Sequence, residues 1–546
     1  LGLSRIILEI MPDNDHLNLS FEYCTDLFEN WFIENMANHY TNILKIILDN
    51  PNIVIKDIDI LSSEEKYKLI YEFNNTSASY SKDKTISQLF EAQVEKTPDS
   101  IAVVFENQKL TYKQLNEKAN CLAHYIVGHG INKSSIVGIM LSRSLELVIT
   151  ILAANKLGSA YILIDPTLPN ERIQYMLENS KASLLITNKK NNNIHFANIM
   201  LIDELNIKPE KNLNIAQNNN EILCIIYTSG STGMPKGVLL RKIGFVNLLY
   251  AFNKCMDIFN FTNFLSIATV SFDMFSVELF CSLLQGKKLF LTTEEEQRNP
   301  RLLAEIIENN HIEFMVSTPS KVELFLSNEY FAKSLKFLKA IQLGGEVFSP
   351  SLFKKLKKYT QAKLYNGYGP TEITACCSNK EVLIENNINI GKPINNTKIF
   401  ILDKYLKLCP VGVPGEICVT GDGISGGYIN QPDATKKNFV KNPFDNNIIY
   451  KTGDIGTYSK DFEIQYIGRN DHQVKLHGLR IELSEIEKQI ISIPSVSRCV
   501  VLLNNFENTT HIVSFYTGTA DSQTIKTKLE KILPAYMVPK YFIHLK

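Results

Sequence analysis

The sequence predicts an α/β protein with a large core of mostly parallel sheets and helices, a β-rich subdomain and a small α+β lid at the C-terminal end. Apolar strand-like runs alternate with helical stretches over residues 85–470, which is typical of parallel sheets covered by helices. A Gly-rich stretch at Pro410–Gly427 predicts the β-rich part. Short strand and helix patterns over residues 471–546 predict the lid, which we expect to be incomplete.

Residues 1–50 predict a fragment rather than a domain. Alternating apolar residues over Leu17–Tyr23 predict a strand, and Asp26–Leu48 predicts a helix. One strand and one helix cannot close a core, so we expect the tail of a domain whose body lies upstream. Residues 51–84 have the composition of an inter-domain linker.

The core and the lid are predicted element by element. Helices are expected at Ile86–Lys96 and at Thr111–Gly128, with Thr111 as the cap. The core strands are predicted at Ile101–Phe105, Ile136–Met140, Ala160–Ile164, Ser183–Ile186, Ile222–Tyr227, Leu289–Leu291, Phe314–Ser317, Ala340–Leu343 and Lys363–Asn366. In the lid, strands at Val474–Leu476, Ser497–Leu503 and His511–Tyr516 accompany a helix at Leu483–Ile491.

Composition excludes several functional classes. The 546 residues are 45% apolar and 21% charged, which is typical of a folded protein. Lys plus Arg (57) equals Asp plus Glu (57), so a nucleic-acid partner is not expected. Apolar runs are too short for a membrane span. The ten cysteines contain no Cys-x-x-Cys pair, and no leader is visible, so we predict reduced thiols and a cytoplasmic protein.

The strongest local signal is a run suited to phosphate. Thr228-Ser-Gly-Ser-Thr-Gly-Met-Pro-Lys-Gly237 follows an apolar strand. Glycines allow close approach of a ligand, hydroxyl and amide groups donate hydrogen bonds, and Lys236 adds a positive charge. The run is not a Walker loop, because Pro235 stands where the second glycine belongs.

This run resembles the phosphate loop of the adenylate-forming enzymes, which include acyl-CoA synthetases, luciferases and nonribosomal peptide synthetase adenylation domains. The resemblance covers nearly the whole chain, because eight other motifs stand in the expected order: Leu110–Leu115, Gly158–Pro166, Ser271–Asp273, Asn366–Glu372, Gly415–Gly421, Tyr450–Asp454, Gly468–Glu482 and Leu533–Pro539. The start of the chain, Phe21–Phe28, resembles the last strand and helix of a condensation domain.

The resemblance implies that ATP and Mg²⁺ bind here. The β- and γ-phosphates would be held by Thr228, Ser229, Gly230, Thr232 and Lys236. Thr371 would contact the α-phosphate, and Glu372 would bind Mg²⁺ through a carboxylate oxygen. The rest of the nucleotide would be bound by Gly344, Gly345, Asn366, Tyr368, Asp454, Tyr466 and Arg469. The residues assigned to catalysis are Lys236, Thr371, Glu372, Arg469 and Lys475, with Asp471 as the hinge of the lid.

Asp273 separates the subfamilies, since amino-acid-activating members use an Asp here to pair with the α-ammonium group. The pocket implied by the motifs comprises Asp273, Met274, Val277, Ser317, Gln342, Gly344, Gly367, Ala375 and Cys376. Asp273 is the one charged member, which argues against acidic and basic substrates. The small members predict a large neutral L-amino acid, with an aromatic side chain favoured, although Ser317 and Gln342 could instead satisfy a polar tip.

The predicted activity is formation of an aminoacyl-AMP, followed by transfer to phosphopantetheine on a downstream peptidyl carrier domain. An upstream condensation domain is the other expected partner, and the need for a small helper protein stays open. The catalytic lysine that the family places after Tyr-Met-Val-Pro is absent, because the sequence stops at Lys546. We therefore expect both ends to be cuts through a longer synthetase. The alternatives are an acyl-CoA or fatty-acyl-AMP ligase and a catalytically silent scaffold.

Overall fold

The computed structural model describes residues 6–14, 16–189, 191, 193–204, 210–230, 233–476, 478–506 and 509–545. In chain order the strands are β1 (Ile6–Asp13), β2 (His16–Tyr23), β3 (Ile101–Phe105), β4 (Gln108–Thr111), β5 (Ile136–Met140), β6 (Ala160–Leu163), β7 (Leu184–Thr187), β8 (Ile199–Leu201), β9 (Ile222–Thr228), β10 (Lys236–Arg241), β11 (Asn263–Ser266), β12 (Lys288–Leu291), β13 (Phe314–Ser317), β14 (Ala340–Gly344), β15 (Lys363–Tyr368), β16 (Ser378–Glu381), β17 (Lys392–Pro393), β18 (Thr397–Leu402), β19 (Gly415–Gly421), β20 (Phe439–Lys441), β21 (Ile448–Tyr458), β22 (Ile464–Arg469), β23 (Gln473–Leu476), β24 (Leu479–Glu482), β25 (Val496–Phe506), β26 (Thr509–Gly518) and β27 (Tyr541–His544).

The α-helices alternate with these strands through most of the core. They are α1 (Asn30–Asp49), α2 (Ser63–Tyr67), α3 (Ile86–Lys96), α4 (Tyr112–Gly128), α5 (Leu145–Leu157), α6 (Asn170–Ser180), α7 (Lys242–Met256), α8 (Asp273–Leu283), α9 (Glu294–Arg298), α10 (Pro300–Asn309), α11 (Pro319–Phe325), α12 (Glu329–Ser334), α13 (Pro350–Lys357), α14 (Pro432–Asn438), α15 (Leu483–Ile491) and α16 (Ser522–Leu529). As predicted, Thr111 caps α4: its hydroxyl accepts from the Gln114 amide (3.2 Å), and the Gln114 side chain accepts in return (2.9 Å).

Two sheets form the core. One has the order β10-β9-β6-β5-β7-β8, parallel except for the β9–β10 pair. The other has the order β17-β16-β15-β14-β13-β11-β12-β3-β4, with six parallel strands from β15 to β3. Every residue of α5 except Glu146 is buried, as expected for a helix that is apolar on nearly all sides. The predicted fold class is confirmed.

The β-rich part and the lid complete the fold. The first is an antiparallel sheet of β18-β19-β21-β20, with β22 paired to β21. The lid combines the β23–β24 hairpin with a β25-β26-β27 sheet, against which α15 and α16 pack. No helix in the described part of the chain is both long and apolar enough to cross a membrane.

The N-terminal prediction needs two corrections. Residues before Leu17 form a second strand, so β1 and β2 make an antiparallel hairpin rather than a lone strand. The helix begins at Asn30 and not at Asp26, because the chain first turns: the amides of Leu27 and Phe28 both donate to the Cys24 carbonyl (3.1 and 3.0 Å). The hairpin is largely exposed, with Leu17 at 61%, so no core forms around it among the residues that the structure describes.

Candidate active site

A cavity of about 220 Å³ lies at the carboxyl ends of β13, β14 and β15, where parallel sheets bind ligands. It brings together eight of the predicted substrate residues: Asp273, Met274, Ser317, Gln342, Gly344, Gly367, Ala375 and Cys376. Val277 does not line it; this side chain lies one helical turn along α8 and packs into the main core. Eight of the nine predicted substrate residues therefore lie around one cavity, and their part in substrate binding stays a prediction.

Asp273 is the first residue of α8 and lines this cavity. Burial raises the pKa of its carboxyl group, against the lowering effect of the Thr371 side chain and the Met274 amide. Among the described residues Asp273 forms no ion pair. A cationic group of a ligand would stabilise its charged form.

The motif-matched pocket missed a second charged residue. Lys321, in α11, also lines the cavity. Its Nζ donates to the Ile267 carbonyl (3.4 Å), and burial lowers its pKa to about 8, with the nearby Glu278 opposing. Asp273 is still the one charged residue among the matched positions, but the cavity also contains Lys321, so the charge of those positions does not by itself argue against an acidic substrate. Position 321 follows the matched Ser317 by four residues, so a resemblance limited to the motifs could not identify it.

A larger cleft of about 790 Å³ separates the core from the lid. It collects six of the predicted nucleotide and catalytic residues: Gly345, Asn366, Tyr368, Tyr466, Arg469 and Lys475. Gly345 and Gly367 line both this cleft and the smaller cavity, so the two spaces adjoin.

Asp454 anchors the hydrogen bonds of the cleft. Its two carboxylate oxygens accept from the Tyr368 hydroxyl and from Arg469 Nη1, each at 2.6 Å. The same guanidinium group binds the predicted hinge residue Asp471 through two bonds of 2.7 Å. Lys475 Nζ lies 5.8 Å from the centre of the Tyr368 ring, so the lid hairpin reaches the nucleotide side of the cleft.

Glu372 is fully buried and ionised. Burial alone would raise its pKa, but Arg480 and Lys236 hold that pKa well below its usual range. Its oxygens contact Arg480 Nη1 (2.7 Å), the Tyr428 hydroxyl (2.8 Å) and Lys236 Nζ (3.5 Å). A hard, ionised oxygen ligand fits Mg²⁺. Tyr428 is a member that the sequence did not indicate.

The lid also covers the phosphate loop. Glu485 of α15 accepts from the Gly230 amide through one oxygen and from Arg172 through the other, each at 2.9 Å. Ser229 Oγ donates to the Arg480 carbonyl (2.9 Å) and accepts from the Glu482 amide (3.1 Å). A carboxylate thus contacts a backbone amide that the sequence assigned to phosphate.

Two more residues of the phosphate loop, Thr228 and Thr232, are predicted to bind phosphate. Thr228 Oγ1 is buried and has no hydrogen-bond partner within the described ranges, which suits a residue awaiting a polar ligand. Thr232, also predicted to bind phosphate, lies outside the described residues.

The lid is fixed at its hairpin as well. The Gly478 amide donates to Glu346 Oε1 (2.6 Å), while the Ser320 amide donates to Glu346 Oε2 (3.0 Å). Gly478 has φ +77°, and a Cβ there would lie 2.3 Å from Thr318 Cγ2. Only glycine therefore fits this close approach.

A polar cleft and a phosphate-type loop adjoin a small cavity whose carboxylate, Asp273, has no ion-pair partner in the described part of the chain. This arrangement is typical of an enzyme that activates a carboxylic acid with a nucleotide. Residues 90–429 match the AMP-binding enzyme family, and residues 5–70 match the condensation domain. The chain belongs to the AMP-binding enzyme family. Its organisation is that of a nonribosomal peptide synthetase adenylation domain preceded by a condensation-domain fragment.

Similar proteins agree with this assignment. The chain is 38% identical over 557 residues to gramicidin S synthase 2 of Aneurinibacillus migulanus, covering 100% of this chain and 12% of that protein. It is 36% identical over 556 residues to bacitracin synthase 3 of Bacillus licheniformis, covering 100% of this chain and 9% of that protein. The chain thus spans a small part of these relatives.

A solved four-domain nonribosomal peptide synthetase, bound to AMP and glycine, superimposes with a TM-score of 0.79 at 28% identity. That match covers 99% of this chain and 41% of the other. An artificially fused adenylation–PCP di-domain from Klebsiella oxytoca gives 0.77 at 25% identity, covering 84% of this chain and 93% of the other.

Proposed function

We propose that this chain activates a large neutral L-amino acid with ATP and transfers it to the phosphopantetheine thiol of a carrier domain. One observation carries the proposal: Asp273, without an ion-pair partner among the described residues, lines a cavity that adjoins the nucleotide cleft. A substrate α-ammonium group would pair with this carboxylate. A fatty acid carries no cation and would leave it unpaired.

In the first step a carboxylate oxygen of the amino acid attacks the α-phosphorus of ATP. The bond between the α-phosphorus and the bridging oxygen breaks, and pyrophosphate leaves. Thr371 and Lys236 would neutralise charge near the phosphates, and Thr228, Ser229 and Gly230 would donate to them. Asp454 would exchange its present partners for the ribose hydroxyls, and Asn366 and Tyr368 would bind the adenine.

Glu372 would hold Mg²⁺, which supplies neutralisation of the triphosphate charge when bound. In the described lid position this carboxylate instead pairs with Arg480, and Glu485 accepts from the phosphate-loop amide. The position therefore suits the second step, after pyrophosphate has left. The thiol sulfur then attacks the acyl carbon, the carbon–oxygen bond to AMP breaks, and the thiol proton passes to solvent. Lys475 lines the cleft and is the lid residue that we assign to this step.

The test is amino-acid-dependent ATP–pyrophosphate exchange over the twenty standard amino acids, with fatty acids as a second panel. It is run on this chain and on one extended through the lysine that the family places after Tyr-Met-Val-Pro. We expect exchange with a large neutral amino acid, faster in the extended chain. Exchange with fatty acids alone would contradict the proposal. Highest exchange with glycine, alanine or aspartate would contradict its substrate class.

A further inference from the structure

The amino-acid cavity contains buried polar atoms that nothing in the described chain satisfies. Ser317 and Gln342 both line it, and their side-chain oxygens, Ser317 Oγ and Gln342 Oε1, are buried without a hydrogen-bond partner among the residues described. Gln342 is 1% exposed, so its carbonyl oxygen cannot rely on bulk solvent. Buried polar atoms are nearly always hydrogen-bonded, and an exception inside a ligand cavity indicates that the ligand supplies the partner.

The other polar groups nearby do not fill this need. The Cys376 thiol donates to the Ser378 carbonyl (3.2 Å). Gln342 Nε2 has only a long contact of 4.0 Å to the same sulfur. The nitrogen of the Gln342 amide faces this thiol, and its oxygen is left as an acceptor without a partner among the described residues.

Lys321 adds donors to the same cavity. An ammonium group has three N–H donors, and within the described chain the Ile267 carbonyl, at 3.4 Å, is the one hydrogen-bond acceptor of Lys321 Nζ. Lys321 keeps its proton at neutral pH, since its pKa lies at about 8. The charged groups that act on it are Glu278 of α8, Arg143 before α5, and Glu294 and Arg298 of α9.

Resting on the function proposed above, we infer that the activated amino acid carries a side-chain carboxamide, with Lys321 as a specificity-determining residue outside the motif-matched pocket. The juxtaposition of Ser317, Gln342 and Lys321 around one cavity carries this inference. The amide oxygen of the substrate accepts from Lys321 and Ser317. Its NH₂ group donates to Gln342 Oε1, so all three groups gain a partner.

Two competing side chains fit less well. An apolar chain leaves Ser317 Oγ and Gln342 Oε1 without a partner and Lys321 with the Ile267 carbonyl alone. Sites built to hydrogen-bond a substrate discriminate strongly against analogues that lack the group. A carboxylate has no N–H for Gln342 Oε1. It would pair with Lys321, but Gln342 Oε1 would then face an acceptor instead of a donor and stay without a partner.

The experiment compares glutamine, glutamate and methionine, which have similar length, together with asparagine, leucine and phenylalanine. Binding to the chain with AMP present is measured by calorimetry, and exchange is measured on the extended chain. We expect the affinity and the exchange rate for glutamine or asparagine to exceed those for methionine and glutamate by about tenfold or more. In Lys321→Met, the preference for the amide over methionine should fall about tenfold, and Gln342→Met should act in the same direction.

Lys287→Met is the matched control. This lysine is also half-buried and donates to a backbone carbonyl, that of Phe259 (2.5 Å), but it lies outside the cavity. It should keep the wild-type preference. Equal or better use of methionine, leucine, phenylalanine or glutamate by the wild type would overturn the inference and leave the proposed function standing. Failure of every amino acid to bind beside AMP would overturn both.

Discussion

The nucleotide cleft and the amino-acid cavity adjoin, yet they handle polar groups in opposite ways. At the junction of core and lid beside the cleft, carboxylates pair with cations of the same chain: Glu372 with Arg480, and Asp454 with Arg469. In the cavity, Ser317 Oγ and Gln342 Oε1 have no partner among the described residues.

This difference follows from the lid. Arg480 and Glu485 belong to the lid, and in this position they supply a cation to the predicted metal ligand and an anion to the phosphate loop. The Arg480 guanidinium thus takes the place of the positive charge that Mg²⁺ would bring to Glu372. The Glu485 carboxylate takes the place of the negative charge that pyrophosphate would bring to the loop. Among the described residues the lid lines the cavity with Gly478 and Leu479 and with no charged side chain, so the specificity of the cavity depends on what the substrate brings.

The largest expected effect comes from Glu372→Gln. The change leaves Arg480 and Lys236 as buried cations without their carboxylate, which costs about 3–5 kcal/mol of folding stability. Exchange should fall by about a hundredfold or more. Thermal unfolding and exchange measure the two effects. The double variant Glu372→Gln/Arg480→Gln should recover stability but not exchange, and Glu295→Gln, at an exposed acid, should change neither. Wild-type exchange in Glu372→Gln would remove this residue from the mechanism.

Asp273→Asn tests the cavity side of the comparison. It removes a charge-assisted contact to the α-ammonium group, worth about 1.5–3 kcal/mol, so kcat/KM for the amino acid should fall about 10- to 150-fold. AMP binding to the same variant, measured by calorimetry, should be unchanged, because Asp273 lines the cavity and not the cleft. A parallel loss of AMP binding would show that the two spaces are not separate in function.

Glu485→Gln should have an effect confined largely to one step. It weakens the contacts of the lid with Gly230 and Arg172, so single-turnover loading of a carrier domain should slow about tenfold. ATP–pyrophosphate exchange should change less than about twofold. In that step the Gly230 amide would bind phosphate, and the variant removes only a carboxylate that competes for this amide. Glu530→Gln, at an exposed lid acid, is the control. Equal loss in both steps would mean that Glu485 only stabilises the fold.

The local pattern of apolar residues was sufficient to predict most helices and strands of the core. Helix Ile86–Lys96 and strand Ile136–Met140 have their predicted bounds, because their apolar periods agree with their burial. The division of the core into two sheets was not predictable, since alternation does not say which strands are neighbours. The first strand, β1, was missed because it is largely exposed, so its sequence carries little alternation.

The residues of the candidate site also fall into those that local sequence predicts and those that it does not. Motifs predicted Asp273, Glu372 and Asp454 because the role assigned to each needs a particular side chain at a fixed place in the motif. They could not give Lys321, which enters the cavity from α11, nor the contact between Glu485 and Gly230, which are 255 residues apart. These contacts depend on how helices and the lid pack against the sheets, and no local pattern encodes that packing.

The smallest expected effect is on stability and comes from Lys321. Burial lowers its pKa from 10.5 to about 8, with Glu278 opposing, so below pH 8 the folded chain carries a proton that burial disfavours. Between pH 8 and 10.5 the unfolded chain retains this proton and the folded chain loses it, so folding becomes relatively more favourable as pH rises. Lys321→Met should therefore be stabilised relative to the wild type at pH 7, and this advantage should shrink toward pH 10.5. Thermal unfolding across this range measures the difference, with Lys113→Met as an exposed control. A difference that does not depend on pH would place Lys321 Nζ in solvent rather than in the cavity, and would remove the donor on which the specificity inference rests.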